Sequence, residues 1–153
     1  MKVYLVQHGE AEAKSVDAAR PLTARGREDV ERMAAFAARL GVEVHQIRHS
    51  GKTRAEQTAE SLGRALDPPG GVAAVSGLDP KDDVRPVAEA LAREAHPVML
   101  VGHLPFLARL AGRLLVGDEE QAPVEFRYAG IVCLVNEEGR WQVAWAATPE
   151  MGR

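Results

Sequence analysis

Cysteine is nearly absent from this chain, and its scarcity excludes two ways of stabilising a fold. Cys133 is the only cysteine among 153 residues, so no disulfide can form within the chain. A metal site built on several thiolates is excluded for the same reason. Cys133 lies in the apolar run 131–135, and we expect it to be a buried core thiol.

The chain also lacks a strong net charge and a long apolar run. Its formal net charge of −3 supplies no attraction toward nucleic acid or an anionic membrane. No apolar stretch approaches the roughly 20 residues that cross a bilayer, and the short apolar run after Lys2 cannot form the core of a signal peptide. We therefore expect a cytoplasmic protein with no nucleic-acid or membrane partner.

Hydrophobic periodicity divides the chain into alternating strands and helices. A chain of this length can bury a sizeable core, and we expect a single domain over residues 1–153. We predict strands at 2–6, 42–47, 72–75, 97–102, 131–136 and 141–147, and helices at 24–40, 53–66, 84–95 and 105–116. The alternation predicts an α/β fold, a three-layer α-β-α sandwich with a mostly parallel central sheet and an antiparallel C-terminal strand addition.

Two of the predicted central strands end at a histidine beside a glycine. His8 follows the first strand and precedes Gly9, and His103 follows Gly102 at the end of the fourth strand. Right-handed βαβ connections place the carboxyl ends of parallel strands side by side, where open α/β sheets bind their ligands. We therefore expect the two imidazoles to face each other across a crevice.

A third predicted element brings a cation to the same edge of the sheet. Arg54 lies in the first turn of the helix that follows the second strand, where Thr53 and Glu56 have the spacing of a capping box. An arginine and free helix-start amides together suit a phosphate group. A neutral imidazole is a competent nucleophile near neutral pH, so we predict transfer of a phosphoryl group to His8 and its hydrolysis by water. Arg54 and His103 would clamp the phosphoryl oxygens, and we expect no metal or other cofactor.

Four short motifs follow one another along the chain, and together they are specific. They are Gln7-His8-Gly9-Glu10, Arg20-Pro21-Leu22-Thr23-x-x-Gly26, Ser50-x-x-x-Arg54-Ala55-x-Gln57-Thr58 and Gly102-His103. Their order and spacing resemble those of the histidine phosphatase (phosphoglycerate mutase-like) superfamily. The compact length and the Arg-Pro-Leu-Thr stretch are similar to those of the small SixA-type phosphohistidine phosphatases.

The resemblance implies a role for individual residues. His8 matches the phosphorylated nucleophile, and Arg54 and His103 match residues of the phosphate pocket. Gly9 and Arg20 match positions that contribute to phosphate binding. The implied partners are a phosphorylated protein or a small phosphate ester, with inorganic phosphate as the product.

One position departs from the family motif. The superfamily opens on Arg-His-Gly, whereas this chain has Gln7-His8-Gly9. Glutamine donates neutral hydrogen bonds, which are about half as strong as the charged ones of arginine, and loss of one such donor can cost on the order of a hundredfold in rate. Three outcomes stay open: a weaker pocket, compensation by Arg20 or Arg48, or a protein that binds phosphate without efficient turnover.

The source of a proton for the leaving group is a second open point. Larger phosphoglycerate mutase-like members use an acidic residue from the middle of the chain, and Asp79 is the best-placed candidate here. The alternative is that Asp79 shapes a turn, while Asp82 or Asp83 caps the next helix. Imidazole leaves more easily than an alkoxide and needs less protonation, which favours a phosphohistidine substrate.

Several other side chains have two interpretations. Arg48 is either a cation at the pocket rim or a surface salt-bridge partner. His49 either touches the substrate or, as we expect, is a solvated loop residue, and Glu10 either orients pocket arginines or is solvated. Trp141 and Trp145 are four residues apart, and we predict that they pack on one face of the last strand.

The sequence thus predicts a metal-independent phosphatase that acts through phospho-His8 on phosphohistidine in a protein. One alternative is a small-molecule phosphomonoesterase of the same superfamily. The other, motivated by Gln7, is a non-catalytic module that binds phosphate or a phosphoprotein.

Overall fold

The computed structural model describes residues 1–152, which form one mixed sheet flanked by helices. The strands are β1 (Lys2–Gln7), β2 (Gln46–His49), β3 (Val72–Ala74), β4 (Val98–Gly102), β5 (Ile131–Glu137) and β6 (Arg140–Ala147). The helices are α1 (Ala24–Arg39), α2 (Thr53–Leu66), α3 (Arg85–Ala92) and α4 (Phe106–Val116), and a 3₁₀ turn spans Pro149–Gly152. Within this described part of the chain, no helix is both long enough and apolar enough to cross a membrane.

The six strands lie in the order β3-β2-β4-β1-β5-β6. β1 to β4 pair in parallel, whereas β5 and β6 pair antiparallel to their neighbours. The predicted α/β fold with a mostly parallel sheet and an antiparallel C-terminal addition is confirmed. Because β1 and β4 are neighbours and Gln7 is in register with Gly102, the residues that follow them, His8 and His103, leave the sheet at the same edge.

Two apolar layers enclose the sheet. Alternate residues of β1 point to opposite faces, so Tyr4 and Val6 join one layer while Val3 and Leu5 join the other. The first layer includes buried residues of α1 and α2, and the second includes those of α3 and α4. The helical spacing of apolar residues in the sequence therefore marks the faces that pack on the sheet.

The second strand begins four residues later than predicted, at Gln46 instead of residue 42. Val42 and Val44 are buried in the core, which explains the apolar pattern, but they lie outside the ladder. β2 pairs with β4 from Gln46 opposite Val98 onward. The preceding residue of the partner, Pro97, has no N–H to donate, so the ladder cannot extend regularly past it.

The start of α2 and the end of α3 also differ from the prediction. Thr53 is already the first helical residue, the cap position is Lys52, and no side chain caps this helix end. The predicted Thr53–Glu56 capping box is therefore wrong, because its threonine lies one position too late. The third helix ends at Ala92 instead of residue 95, because Arg93 bonds back to Ala90 in a tighter i→i−3 turn.

The two tryptophans of β6 lie on opposite faces of the sheet, and the predicted common face is wrong. Cys133 of β5 pairs with Trp145, but the next residue, Leu134, pairs with Val143. The extra residue is a β-bulge, which reverses the alternation of side chains. Trp145 therefore packs with Tyr4 against the α1–α2 layer, while Trp141 packs in the α3–α4 layer.

The loop after β1 packs directly on α1 because two glycines leave room for it. A Cβ atom on Gly26 would collide with the backbone carbonyl oxygen of Glu10, and one on Gly9 would lie 2.7 Å from Cγ2 of Val30. Thr23 caps the helix by accepting a 2.9 Å hydrogen bond from the Gly26 amide. The helix start and the loop that carries His8 are thus one packed unit.

This packing makes Gly26 sensitive to substitution. Glycine to alanine inside a helix ordinarily stabilises by about 1 kcal/mol. We expect Gly26→Ala to do the opposite and to lower the free energy of unfolding by about 2 kcal/mol, since its methyl group would displace backbone. Urea unfolding measures this. Glu28→Ala, exposed on the same helix, is the control, expected to change stability by less than about 0.5 kcal/mol; a more stable Gly26→Ala protein would contradict the prediction.

Candidate active site

His8 is held at the carboxyl end of β1 in one tautomer. Its backbone amide donates to the Gly102 carbonyl at 3.0 Å, which extends the pairing of β1 with β4 by one residue. Its ring Nδ1 lies 2.7 Å from the Gly9 carbonyl oxygen. A carbonyl oxygen only accepts, so Nδ1 carries the proton and Nε2 keeps a free lone pair.

The surroundings of His8 keep its ring neutral. The side chain is buried, with only 6% of its surface exposed. Burial lowers the pKa of His8 to about 4, and the charges of Arg54 and Arg20 act in the same direction, against the opposing Gly9 hydrogen bond. At neutral pH, Nε2 is therefore an unprotonated nucleophile.

His103 follows β4 and lies beside His8, as expected from the strand order. The ring centroids are 5.0 Å apart, with an angle of 53° between the planes. Nε2 of His103 hydrogen-bonds to Oγ of Ser50 at 2.6 Å, and its side chain is 1% exposed. Burial, followed by the charges of His8 and Arg54, lowers the pKa of His103 to about 3. This second imidazole is thus also neutral at neutral pH.

Two arginines provide the positive charge of the site. Arg54 lies in the first turn of α2, and its Nε is buried without a hydrogen-bond partner in the described chain. Burial and the nearby charge of Arg20 lower the pKa of Arg54, whereas Asp79 and Tyr128 act against this. Arg20 donates from Nε to the Glu12 carbonyl at 3.1 Å. Within residues 1–152 neither arginine forms an ion pair with a carboxylate, so both keep their charge available to an anion.

Thr58 ties the nucleophile to the arginine helix, and sequence reasoning gave it no role in the site. Its hydroxyl accepts from the Gly9 amide at 3.0 Å and donates to the Arg54 carbonyl at 2.8 Å. The sequence did contain an indication of this role, because Thr58 is a hydroxyl residue among the apolar residues on the buried face of α2. One side chain therefore sets the distance between the His8 loop and the first turn of α2.

Tyr128 is a second site residue that sequence reasoning missed. It lies in the loop before β5, with its ring centroid 5.7 Å from that of His8 and the planes tilted by 41°. No motif or periodicity marks this loop, and its return to the edge of the sheet depends on the antiparallel pairing of β5 with β1. The site thus takes residues from both halves of the chain.

The structure also shows where Gln7 and Asp79 lie, the two residues whose roles the sequence left open. Gln7 is the last residue of β1, and its Oε1 is buried without a hydrogen-bond partner in the described chain. Asp79 is exposed, its amide donates to Oδ2 of Asp82 at 2.9 Å, and its charge reaches Arg54. Oδ1 of Asp83 accepts from the Arg85 amide at 3.0 Å, but the cap position of α3 is Val84 and no side chain caps this helix, so the predicted capping by Asp82 or Asp83 is wrong.

Three other candidates are engaged elsewhere. Arg48 pairs with Glu94 at 2.5 Å, as in its salt-bridge alternative. His49 is buried and accepts from the Gly51 amide at 3.0 Å, so the expected solvated histidine is wrong. Oε1 of Glu10 accepts from the Thr23 hydroxyl at 2.9 Å, and Glu10 therefore supports the α1 cap, a role that neither interpretation included.

The bridging hydroxyl of Thr58 can be tested with a matched pair of variants. Thr58→Val keeps the shape but leaves the buried Gly9 amide without an acceptor, so we expect a loss of about 1–3 kcal/mol in the free energy of unfolding. Thr58→Ser keeps the hydroxyl and should retain most of the wild-type stability. Urea unfolding of both variants checks this, and equal stability of Thr58→Val and Thr58→Ser would show that the bridge is not needed.

Comparison with known proteins shows the family of this chain. The family description "Histidine phosphatase superfamily (branch 1)" matches residues 3–79. Phosphohistidine phosphatase SixA of Escherichia coli (strain K12) is 30% identical over 155 residues, which cover 97% of this chain and 94% of the relative. A structure of the protein histidine phosphatase SixA complexed with tungstate aligns over 100% of both chains, with a TM-score of 0.86 and 31% identity. Phosphoserine phosphatase from Entamoeba histolytica shares the fold, with a TM-score of 0.71 and 15% identity over 97% of this chain and 98% of its own. The chain belongs to branch 1 of the histidine phosphatase superfamily.

Proposed function

We propose that this protein is a phosphohistidine phosphatase that works through a phosphoryl group carried on Nε2 of His8. The observation that carries the proposal is the fixed tautomer of His8. Its Nδ1 donates a hydrogen bond to the Gly9 carbonyl and its ring is neutral. The lone pair of Nε2 is therefore free, beside Arg54 and Arg20. Such an arrangement suits attack on an electrophile that is itself an anion.

In the first step, the Nε2 lone pair of His8 attacks phosphorus in line with the leaving group. The new N–P bond forms as the substrate N–P bond breaks, and the electron pair of that bond goes to the departing imidazole nitrogen. A substrate ring that already carries a proton on its other nitrogen leaves as neutral histidine. The step therefore needs no proton from a side chain such as Asp79.

In the second step, water attacks the phosphorus of phospho-His8. An O–P bond forms, the Nε2–P bond breaks with its electron pair returning to Nε2, and both protons of the water leave on the inorganic phosphate, which restores the site. Throughout both steps the transferring group carries negative charge on three equatorial oxygens. Arg54 and Arg20 stabilise that charge because they are already positioned and, among residues 1–152, pair with no carboxylate.

His103 orients the site from its buried side. Its bond to Ser50 joins the end of β4 to the loop before α2, so the two imidazoles and Arg54 keep their spacing. Its other nitrogen, Nδ1, is buried without a partner in the described chain. If the Ser50 hydroxyl donates to Nε2, then Nδ1 carries a proton and can donate toward an incoming phosphoryl oxygen.

The similarity to SixA supports a phosphohistidine substrate and the binding of a tetrahedral anion. The curated relative is named a phosphohistidine phosphatase, and the solved SixA structure holds tungstate, which has the shape of phosphate. A second candidate function is a non-catalytic phosphate-binding module. It is favoured by Gln7, since a neutral amide at this position stabilises transition-state charge less than a guanidinium does.

The test measures phosphate release from a phosphohistidine protein and from p-nitrophenyl phosphate. We expect the wild type to act on the phosphoprotein, and His8→Ala to be slower by at least about a thousandfold, because the covalent route is removed. His96→Ala changes an exposed histidine outside the site and should keep full activity. When the reaction is stopped in alkali, we expect the wild-type enzyme to carry a covalently bound phosphate that acid releases. His8→Ala should carry none.

Each other result has a definite meaning in this experiment. Equal release by wild type and His8→Ala would contradict the proposal. Release from p-nitrophenyl phosphate alone would favour the phosphomonoesterase of the same superfamily. Binding of inorganic phosphate by calorimetry, without release from either substrate, would favour the binding module.

The contribution of Gln7 can be measured by restoring a cation. We expect Gln7→Arg to raise kcat/KM by about tenfold or more, because a charged donor stabilises the transferring oxygens more strongly than a neutral one. Gln7→Met has a similar size without a donor and should be slower than the wild type. Steady-state kinetics on the phosphoprotein measure both. An unchanged or lower rate for Gln7→Arg would mean that Arg20 and Arg54 already supply the required charge.

A further inference from the structure

Tyr128 presents a half-exposed ring beside the buried nucleophile. Its ring contacts the His8 ring, with centroids 5.7 Å apart, yet its side chain is 48% exposed. In the described part of the chain it is the only aromatic residue among the large, strongly exposed apolar side chains. An exposed ring beside a buried nucleophile is a surface that a substrate passes on entry.

The backbone around Tyr128 fixes this ring relative to the nucleophile. The amide of the next residue, Ala129, donates to the Gln7 carbonyl at 2.9 Å and is shared with the His8 carbonyl at 3.3 Å. Ala129 is buried and has a left-handed backbone with φ of 61°. The Gly130 amide closes a turn on the Arg127 carbonyl at 2.9 Å. Because this loop is bonded to the end of β1, the fold places the ring beside His8.

The direction of transfer brings the leaving group toward Tyr128. In-line attack by Nε2 requires the leaving group on the far side of phosphorus. His8 is 6% exposed and His103 is 1% exposed, so the interior side of the site is filled by these rings and their neighbours. The leaving group must therefore depart toward solvent, and the half-exposed ring of Tyr128 contacts the nucleophile where it could meet that group.

We propose that Tyr128 is a specificity-determining residue that selects substrates with a flat ring as leaving group, by packing its own ring against the imidazole of phosphohistidine. This inference rests on the proposed function and names the part of the substrate that the site selects. Tyrosine suits the role, since aromatic rings pair in offset or tilted geometry. The face of the ring also attracts an imidazole that carries a positive charge.

The experiment compares two substrates with the same kind of scissile bond. Phosphohistidine and phosphoramidate both contain an N–P bond, but only phosphohistidine has a ring on the leaving nitrogen. We expect Tyr128→Leu to lower the ratio of kcat/KM for phosphohistidine over phosphoramidate by about tenfold, the size of one aromatic contact. Tyr128→Phe keeps the ring and should hold this ratio within about twofold. Val116→Ala removes an exposed apolar side chain at the end of α4 and should leave it unchanged.

The outcomes separate this inference from the proposed function. An active wild type whose ratio is the same in Tyr128→Leu would overturn the role of Tyr128 alone. A ratio that falls as far in Tyr128→Phe would assign selection to the hydroxyl and would also overturn packing by the ring. A wild type that splits neither N–P bond would overturn the proposed function and this inference with it. Thermal unfolding of both Tyr128 variants verifies that each is folded when its ratio is measured.

Discussion

The residue on which the site depends most is Gly9, because both of its backbone polar groups are used there. Its amide donates to Thr58 and its carbonyl accepts from Nδ1 of His8. The first bond fixes the loop to α2, and the second selects the tautomer that frees Nε2. A side chain at this position would collide with Val30 of α1. The chemistry of His8 therefore depends on a close approach between the β1 loop and two helices, which the core on that face of the sheet maintains.

In the empty site, burial and neighbouring charges disfavour the protonated forms of His8, His103 and Arg54, and this suits the proposed phosphoryl transfer. Burial lowers the pKa of His8 and of His103, and the pKa of Arg54 is lowered by burial and by Arg20. A bound dianion reverses the last of these effects, because its charge stabilises both guanidinium groups. The folded core supplies the free energy that holds the like charges together. Binding of phosphate then gains from cations that need no further reorganisation.

Local sequence signals predicted the strands that carry the chemistry, since buried parallel strands are continuous apolar runs and a polar residue at their end is conspicuous. His8 and His103 were found in this way, and the connection rules predicted that the two imidazoles would face each other at one edge of the sheet. Features that depend on the partner strand could not be found. The start of β2 depends on Pro97, the residue just before β4, and the face of Trp145 depends on a bulge against β5. Tyr128 was missed for the same reason, because a loop without a motif reaches the site only through the pairing of β5 with β1.

The free-energy cost of burying a charge explains why a neutral amide, Gln7, suits the end of β1. Its position at the end of β1 is nearly closed to solvent, and its Oε1 has no partner in the described chain. A guanidinium in that place would be desolvated and would add a third positive charge to a site where Arg20 and Arg54 already repel each other. A neutral amide avoids that repulsion in the empty site, but it stabilises the transferring phosphoryl group less. The loss of rate caused by a neutral amide in place of a guanidinium is smallest for a substrate whose leaving group departs readily, because its transition state requires less stabilisation. The amide at position 7 is therefore better suited to the proposed phosphohistidine substrate than to a phosphate ester, whose leaving group departs less readily.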